Sequence, residues 1–154
     1  VKKSNWDKHF NFASEIFNIT SFCKDETQIH THMCYSDFSE IISYIDKMDF
    51  DVISIEAART QGKVAEEFKK IGFNRQIGIG VFDVHTPEVA SYEKIKNVVD
   101  RVMRIFPVES IWINPDCGLK TRKWDEVIPS LSNMVEVAKR LRENTENRGN
   151  HENN

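Results

Sequence analysis

The sequence predicts an α/β fold, a partial (β/α)8 barrel with a leading helix and four strand-helix units. Short segments rich in Ile and Val alternate with amphipathic helical segments, a pattern typical of a parallel sheet with helical crossovers. Reactive side chains also follow the predicted strands, as expected where strand ends line the active site of a barrel. Because a complete barrel needs eight units and about 250 residues, this chain of 154 residues corresponds to the last half of one.

Apolar residues spaced three and four apart identify the helices. The first helix has no preceding strand in this sequence. Gly72 and Pro107 are expected to end later helices, because glycine favours the C-terminal cap and proline cannot continue a helix. Ser36 or Asp37 can cap the second helix. The predicted helices span residues 4–18, 38–48, 62–71, 92–106 and 124–142.

The predicted strands are bounded by polar residues, Gly or Pro. Gly78 and Gly80 within the third strand indicate a close approach to its backbone. After the last helix, residues 144–154 are polar and rich in Asn, so we expect a disordered tail after a domain that spans residues 1–143. The predicted strands span residues 28–34, 51–56, 76–84 and 110–114.

The composition is that of an ordinary globular domain, with 40% hydrophobic and 29% charged residues. A net charge of −3 does not favour binding to nucleic acid or to a membrane surface. The apolar runs are too short to span a bilayer. The cysteines, at positions 23, 34 and 117, do not resemble a disulfide framework, so we expect a cytoplasmic protein.

The first strand carries unusual side chains on one face. Alternation places Gln28, His30, His32 and Cys34 on that face, opposite a second face that is largely apolar. Imidazole and thiolate groups are good ligands for zinc. A His-x-Cys pair on one strand face could therefore supply half of a tetrahedral zinc site.

The other half of this site can come from later strand ends. Cys34, Glu56, His85 and Cys117 each fall at or after the end of a strand, one in each unit, and so should share one rim of the barrel. His32, Cys34, Glu56 and Cys117 together would form a Zn²⁺ site with a formal charge of −1. Such an electron-rich site suits the binding of a substrate thiol as a thiolate, and Glu56, the hardest ligand, would yield its place to the sulfur. Taken singly, a cysteine is more often a small core residue and a glutamate a salt-bridge partner.

The remaining candidates lie on the first strand, at the end of the third strand and in the segment after Cys117. His30 could replace His32 as the ligand, but we favour a supporting or core role for it. Asp83 and His85 would share a strand face, and a carboxylate beside an imidazole favours a general acid; the alternative is that both cap the next helix. Lys120 and Arg122 could hold an anionic tail of a substrate, although solvated loop charges explain each of them singly.

Four segments resemble the signature segments of the cobalamin-independent methionine synthase family. The resemblance extends over residues 5–142 and is to the last half of the family's C-terminal catalytic barrel. It implies methyl transfer from 5-methyltetrahydrofolate polyglutamate to homocysteine, giving methionine. The segments are residues 28–36, 53–59, 80–87 and 112–122.

The resemblance also implies roles for particular residues. By it, the zinc ligands are His32, Cys34, Glu56 and Cys117, and His85 protonates N5 of the folate as the methyl group leaves. An acid is needed because an unprotonated tertiary amine is a very poor leaving group.

The resemblance further implies that other parts of the active site lie outside this sequence. In the family, the groups that hold the amino and carboxyl ends of homocysteine, and a folate-stacking tryptophan, are upstream of the matching region. We therefore expect association with the missing half of the barrel, or self-association. The alternatives are a non-catalytic remnant in which zinc is structural or absent, and a related thiol methyltransferase with another methyl donor.

Overall fold

A computed structural model describes residues 2–22, 26–34 and 38–151 of the chain. Within these ranges, nine helices and strands follow in the order expected from the sequence, with a short 3-10 helix before the first helix and another before the last strand. Cys23 and the proposed helix cap at Ser36 or Asp37 lie outside the described residues. The elements are α1 (Trp6–Thr20), β1 (His30–Met33), α2 (Phe38–Ile45), β2 (Val52–Ile55), α3 (Val64–Lys70), β3 (Gln76–Gly80), α4 (Tyr92–Met103), β4 (Ile111–Asn114) and α5 (Trp124–His151).

The strands form one parallel sheet in the order β1-β2-β3-β4. Each strand pairs with the next one along the chain, as in the wall of a barrel. The register pairs His32 with Ser54, Ser54 with Gly78, and Gly78 with Trp112. This arrangement confirms the predicted α/β class and aligns the carboxyl ends of all four strands at one edge.

The two faces of the sheet differ in chemistry. One face is apolar and packs under the helices, where it forms a core with Phe68 of α3 and Ile95 of α4. The opposite face carries the histidines of β1 together with Ser54, Gly78 and Gly80, as alternation along each strand requires. The polar face is therefore the inner wall of the partial barrel. The sheet residues of the core are Ile53, Ile55, Ile77 and Ile79.

The third strand is shorter than predicted. β3 ends at Gly80, whereas alternation had suggested a strand to residue 84. After Gly80 the chain bends at Phe82 and forms a turn at Val84 and His85. The chain turns because the Asp83 carboxylate accepts a hydrogen bond from the backbone N–H of His85. The prediction that Asp83 and His85 share a strand face was therefore wrong.

The last helix is longer than predicted. α5 continues to His151, so residues 144–151, which we expected to be disordered, are helical in the structure. The side chain of Thr145 donates a hydrogen bond to the Leu141 carbonyl on the preceding turn. No proline interrupts the backbone after Pro129, and a polar sequence can continue a solvated helix. Within the described part of the chain, no helix is long and apolar enough to cross a membrane.

Candidate metal centre

Three soft donor atoms converge at the carboxyl edge of the sheet. His32 Nε2 lies 3.0 Å from Cys34 Sγ and 3.5 Å from Cys117 Sγ. The two sulfur atoms are 3.0 Å apart. His32 lies in β1, Cys34 directly follows β1 and Cys117 follows β4, so side chains from the two edge strands of the sheet meet here. The structure thus assembles three of the four residues predicted as zinc ligands.

The separations fit a tetrahedral metal after a small expansion. Metal bonds of about 2.0 Å to nitrogen and 2.3 Å to sulfur would place neighbouring donors roughly 3.5–3.8 Å apart. The 3.5 Å from His32 Nε2 to Cys117 Sγ already matches, whereas Cys34 Sγ, at 3.0 Å from both partners, would have to move away by about 0.5–0.8 Å. Imidazole and thiolate donors are those preferred by zinc and related borderline metals. The group could therefore hold a metal ion.

Ser54 determines how the His32 ring presents its nitrogens. The hydroxyl of Ser54 donates to the Thr31 carbonyl at 3.2 Å and lies 2.8 Å from His32 Nδ1. Because its proton is already engaged, this hydroxyl accepts a hydrogen bond from Nδ1–H. The Nε2 lone pair is then directed at the sulfur atoms, as a metal ligand requires. Ser54 was not among the residues predicted from the sequence, although alternation along β2 places it on the same face as Glu56.

Glu56, the fourth predicted ligand, follows β2 and is half-buried near the group. Its carboxylate is not among the donor atoms that meet within 4.8 Å in the described residues. Burial raises the pKa of the Cys117 thiol to about 12, and the Cys34 thiol and the negative charges of Glu56 and Asp116 act in the same direction. A bound cation would oppose these effects and stabilise the thiolate. The electrostatics of the group therefore favour a cation.

Asp116 is a second residue of the site that was not predicted from the sequence. Its side chain is fully buried, and Oδ1 accepts hydrogen bonds from the backbone N–H groups of Ala57 and Ala58 at 3.0 and 3.1 Å. Burial raises its pKa to about 6, while these two hydrogen bonds lower it. The only signal in the sequence was an acidic residue directly before Cys117 in a segment that follows a strand.

The predicted acid, His85, lies on the exposed turn after β3. Asp83 accepts from the His85 backbone N–H at 2.8 Å and from Arg59 Nε at 3.0 Å. Burial acts to raise the pKa of Asp83, but these hydrogen bonds and the charges of Arg59 and His85 prevail and lower it. Through its hydrogen bond to the His85 backbone, Asp83 thus stabilises the turn on which His85 lies.

The other predicted site residues have different surroundings. His30 Nε2 lies 2.8 Å from Gln28 Oε1, and the His30 ring meets the Trp112 ring edge-on at 4.9 Å. Among the described residues, His30 is not part of the donor group, and its supporting or core role stays a prediction. Arg122 lies 3.6 Å from Glu126 of α5. Lys120 is exposed.

The parallel strand-helix units, with an imidazole and two thiols at the strand ends, define half of a (β/α) barrel with a candidate metal centre. The family profile described as "Cobalamin-independent synthase, Catalytic domain" matches residues 1–140, and the chain belongs to this family. The resemblance found in the sequence is thereby confirmed.

Curated relatives are similar over nearly the whole chain. The 5-methyltetrahydropteroyltriglutamate–homocysteine methyltransferase of Thermotoga petrophila is 54% identical over 148 residues, which cover 96% of this chain and 20% of the relative. The enzyme of the same name from Synechococcus sp. is 47% identical over 144 residues, covering 93% of this chain and 19% of the relative. The chain therefore spans about a fifth of the length of these relatives.

A solved structure has the same fold. The B12-independent methionine synthase of Shewanella sp. W3-18-1, in complex with selenomethionine, superposes with a TM-score of 0.63 at 13% identity. The match covers 88% of this chain and 47% of the Shewanella chain. At this identity the likeness supports the fold alone, and it agrees with the predicted partial barrel.

Proposed function

We propose that this chain supplies the metal-binding half of a catalytic barrel that transfers a methyl group from 5-methyltetrahydrofolate polyglutamate to homocysteine. The observation that carries the proposal is the convergence of His32 Nε2, Cys34 Sγ and Cys117 Sγ at the carboxyl edge of the sheet. Barrel enzymes use this edge for catalysis. The names of the curated relatives support the same reaction.

The proposed metal is zinc, held by His32, Cys34, Cys117 and Glu56. Two thiols, an imidazole and a nearby carboxylate suit zinc better than a harder ion such as Mg²⁺. Bound there, zinc would hold the sulfur of homocysteine as a thiolate, which is a good nucleophile at neutral pH. The thiol ligands must stay reduced, so we also propose a cytoplasmic location.

His85 is the proposed acid. Its position on an exposed turn at the same edge of the sheet leaves room for a substrate, and Asp83 holds the backbone of that turn. In this proposal the His85 ring donates a proton to N5 of the folate. Protonation turns the amine into a usable leaving group as the methyl group departs.

The proposed partner is the remaining half of the barrel, present in the same protein or in another chain. In the described sheet, β1 and β4 are edge strands, and an open edge in a barrel fold calls for further strands. The match to 47% of the Shewanella chain supports this proposal. Contacts to the amino-acid end of homocysteine and to the folate ring would come from that half.

The test combines metal content with methyl transfer. Zinc per chain is measured after metal loading, and methionine formation is measured with the complementary half of a relative's barrel supplied. We expect one zinc per chain and activity only in the reconstituted protein. Cys117→Ser should abolish both, whereas Cys23→Ser, the matched control, should retain both.

Two results would count against the proposal. Full activity of the Cys117→Ser variant would overturn the metal mechanism. Zinc binding without methyl transfer after reconstitution would favour the non-catalytic remnant instead.

A further inference from the structure

We propose that Asp116 is a positioning residue that couples the loop after β2, which carries Glu56, to the loop after β4, which carries Cys117. The inference rests on the proposed metal centre, because it concerns two of the residues that would hold the ion. It assigns to Asp116 the task of keeping these two residues at a fixed separation before the metal arrives.

The hydrogen bonds of Asp116 connect strands that are not neighbours. Oδ1 accepts from the backbone N–H groups of Ala57 and Ala58, which directly follow Glu56. Asp116 itself directly precedes Cys117, and its own N–H donates to the Phe82 carbonyl at 3.1 Å. Since β3 lies between β2 and β4, one residue joins the loops after three consecutive strands.

Gly80 provides the space that this connection needs. A Cβ atom at Gly80 would lie 2.8 Å from Asp116 Cα and would collide with Oδ1. At Gly78, a Cβ atom would lie 2.6 Å from Asn114 Oδ1. The side chains of Asn114 and Asp116 therefore occupy the space above Gly78 and Gly80, where β3 has no side chains of its own. The residues that approach the two glycines closely are Ser54 of β2 and Asn114 of β4 at Gly78, and Asp116, which follows β4, at Gly80.

A purely structural tie would not need a carboxylate. Asp116 Oδ2 is buried and has no hydrogen-bond partner among the residues that the structure describes. A buried carboxylate with one unpaired oxygen is unfavourable for folding. Its negative charge strengthens both amide hydrogen bonds and adds negative potential at the donor group, where a cation would benefit. These properties favour metal binding more than they favour stability.

The test measures metal affinity and stability separately in the full chain. Co²⁺ serves as the probe, since its absorption spectrum reports thiolate ligands and coordination number, and affinity follows from competition with a chelator. Asp116→Ala removes the carboxylate acceptor, and the methyl group of Gly80→Ala would occupy the space that the Asp116 carboxylate needs. Asp116→Asn keeps an acceptor oxygen without the charge, and it carries the test if the other variants do not fold.

Ser130→Ala is the matched control. Ser130 is also a buried polar residue that ties a loop, because its hydroxyl accepts from Ala90 N–H at 3.2 Å and donates to the Glu126 carbonyl at 2.7 Å. It is not part of the donor group. Loss of the Ser130 hydroxyl should lower the unfolding temperature of the metal-free chain and leave the affinity for Co²⁺ unchanged.

We expect Asp116→Ala and Gly80→Ala to weaken Co²⁺ binding by roughly 10- to 100-fold, the usual range for residues that support metal ligands, and Asp116→Asn by less. The thiolate bands should persist at saturation while the d–d bands shift, because Glu56 is misplaced. Unchanged affinity and d–d bands in Asp116→Ala, or an equal loss in Ser130→Ala, would overturn the inference alone. Absence of Co²⁺ binding by the unmodified chain would overturn the proposed function and the inference with it.

Discussion

His32 and Ser54 face each other across the pairing of β1 and β2, with His32 Nδ1 at 2.8 Å from Ser54 Oγ. The register of the two strands makes them direct partners, so the backbone sets this distance. Ser54 also donates to the Thr31 carbonyl, which leaves its hydroxyl as an acceptor for the imidazole N–H. The orientation of the candidate metal ligand is thus determined by the neighbouring strand.

The first prediction concerns this contact. Ser54→Ala should weaken zinc binding by roughly 10- to 100-fold, because the His32 ring loses the acceptor that fixes its orientation and tautomer. Ser54→Thr keeps a hydroxyl at the same position and should bind zinc nearly as well as the unmodified chain. Chelator competition measures both affinities. Equal affinity in the alanine and threonine variants would contradict the role given to the hydroxyl.

The second prediction concerns metal removal. Chelation should leave the secondary structure intact, because the core lies on the opposite, apolar face of the sheet and includes Ile53 and Ile77. The unfolding temperature should fall only by the amount that ligand binding adds to the folded state. Circular dichroism before and after chelation measures the first effect, and thermal unfolding the second. Unfolding upon chelation would instead support a structural zinc in a non-catalytic remnant.

Much of the site was predictable because strand alternation is a local property. Alternation along β1 places His32 and Cys34 on one face, and the parallel order of the strands brings Cys117 to the same edge. The turn at Asp83 was not predictable from alternation, since the hydrogen bond to the His85 backbone competes with a strand conformation.

The roles of Ser54 and Asp116 depend on contacts between different strands. The contact of Ser54 with His32 requires the register of β1 and β2, which one sequence does not reveal. Asp116 reaches past β3 to the amides of Ala57 and Ala58, and only the packed sheet makes this route visible. The glycines of β3 signalled a close approach, but not which side chain makes it.

The third prediction concerns pH and Asp83. Burial opposes the ionised form of this carboxylate, but the His85 N–H and the Arg59 guanidinium prevail, so its pKa in the folded chain lies below 3.8. A lowered pKa contributes stability that is present above pH 3.8 and is lost as the pH falls through the folded value. Asp83→Asn should therefore lower the free energy of unfolding by about 1 kcal/mol at pH 7 and by progressively less below pH 4.

Glu88→Gln is the control for this experiment. Glu88 pairs with Lys94, and both side chains are largely exposed, so its replacement should change stability very little at any pH. Urea unfolding at pH 7, 5 and 3 measures both variants. If the free energy of unfolding of Asp83→Asn is lowered by the same amount at pH 3 as at pH 7, ionisation of Asp83 is not the source of the loss.

The fourth prediction concerns assembly. Phe12 and Ile19 on α1 are 62% and 71% exposed, an unusual exposure for large apolar side chains, and β1 and β4 are open edges of the described sheet. We expect the chain to self-associate at micromolar concentration, or to bind the complementary half of a barrel when that half is present. Replacing Phe12 and Ile19 by Lys should raise the monomer fraction in sedimentation velocity.

Trp124→Lys, at a residue that is 78% exposed at the start of α5, is the matched control and should leave association unchanged. A monomer at all concentrations, with no binding to the complementary half, would contradict the assembly proposed for the partial barrel.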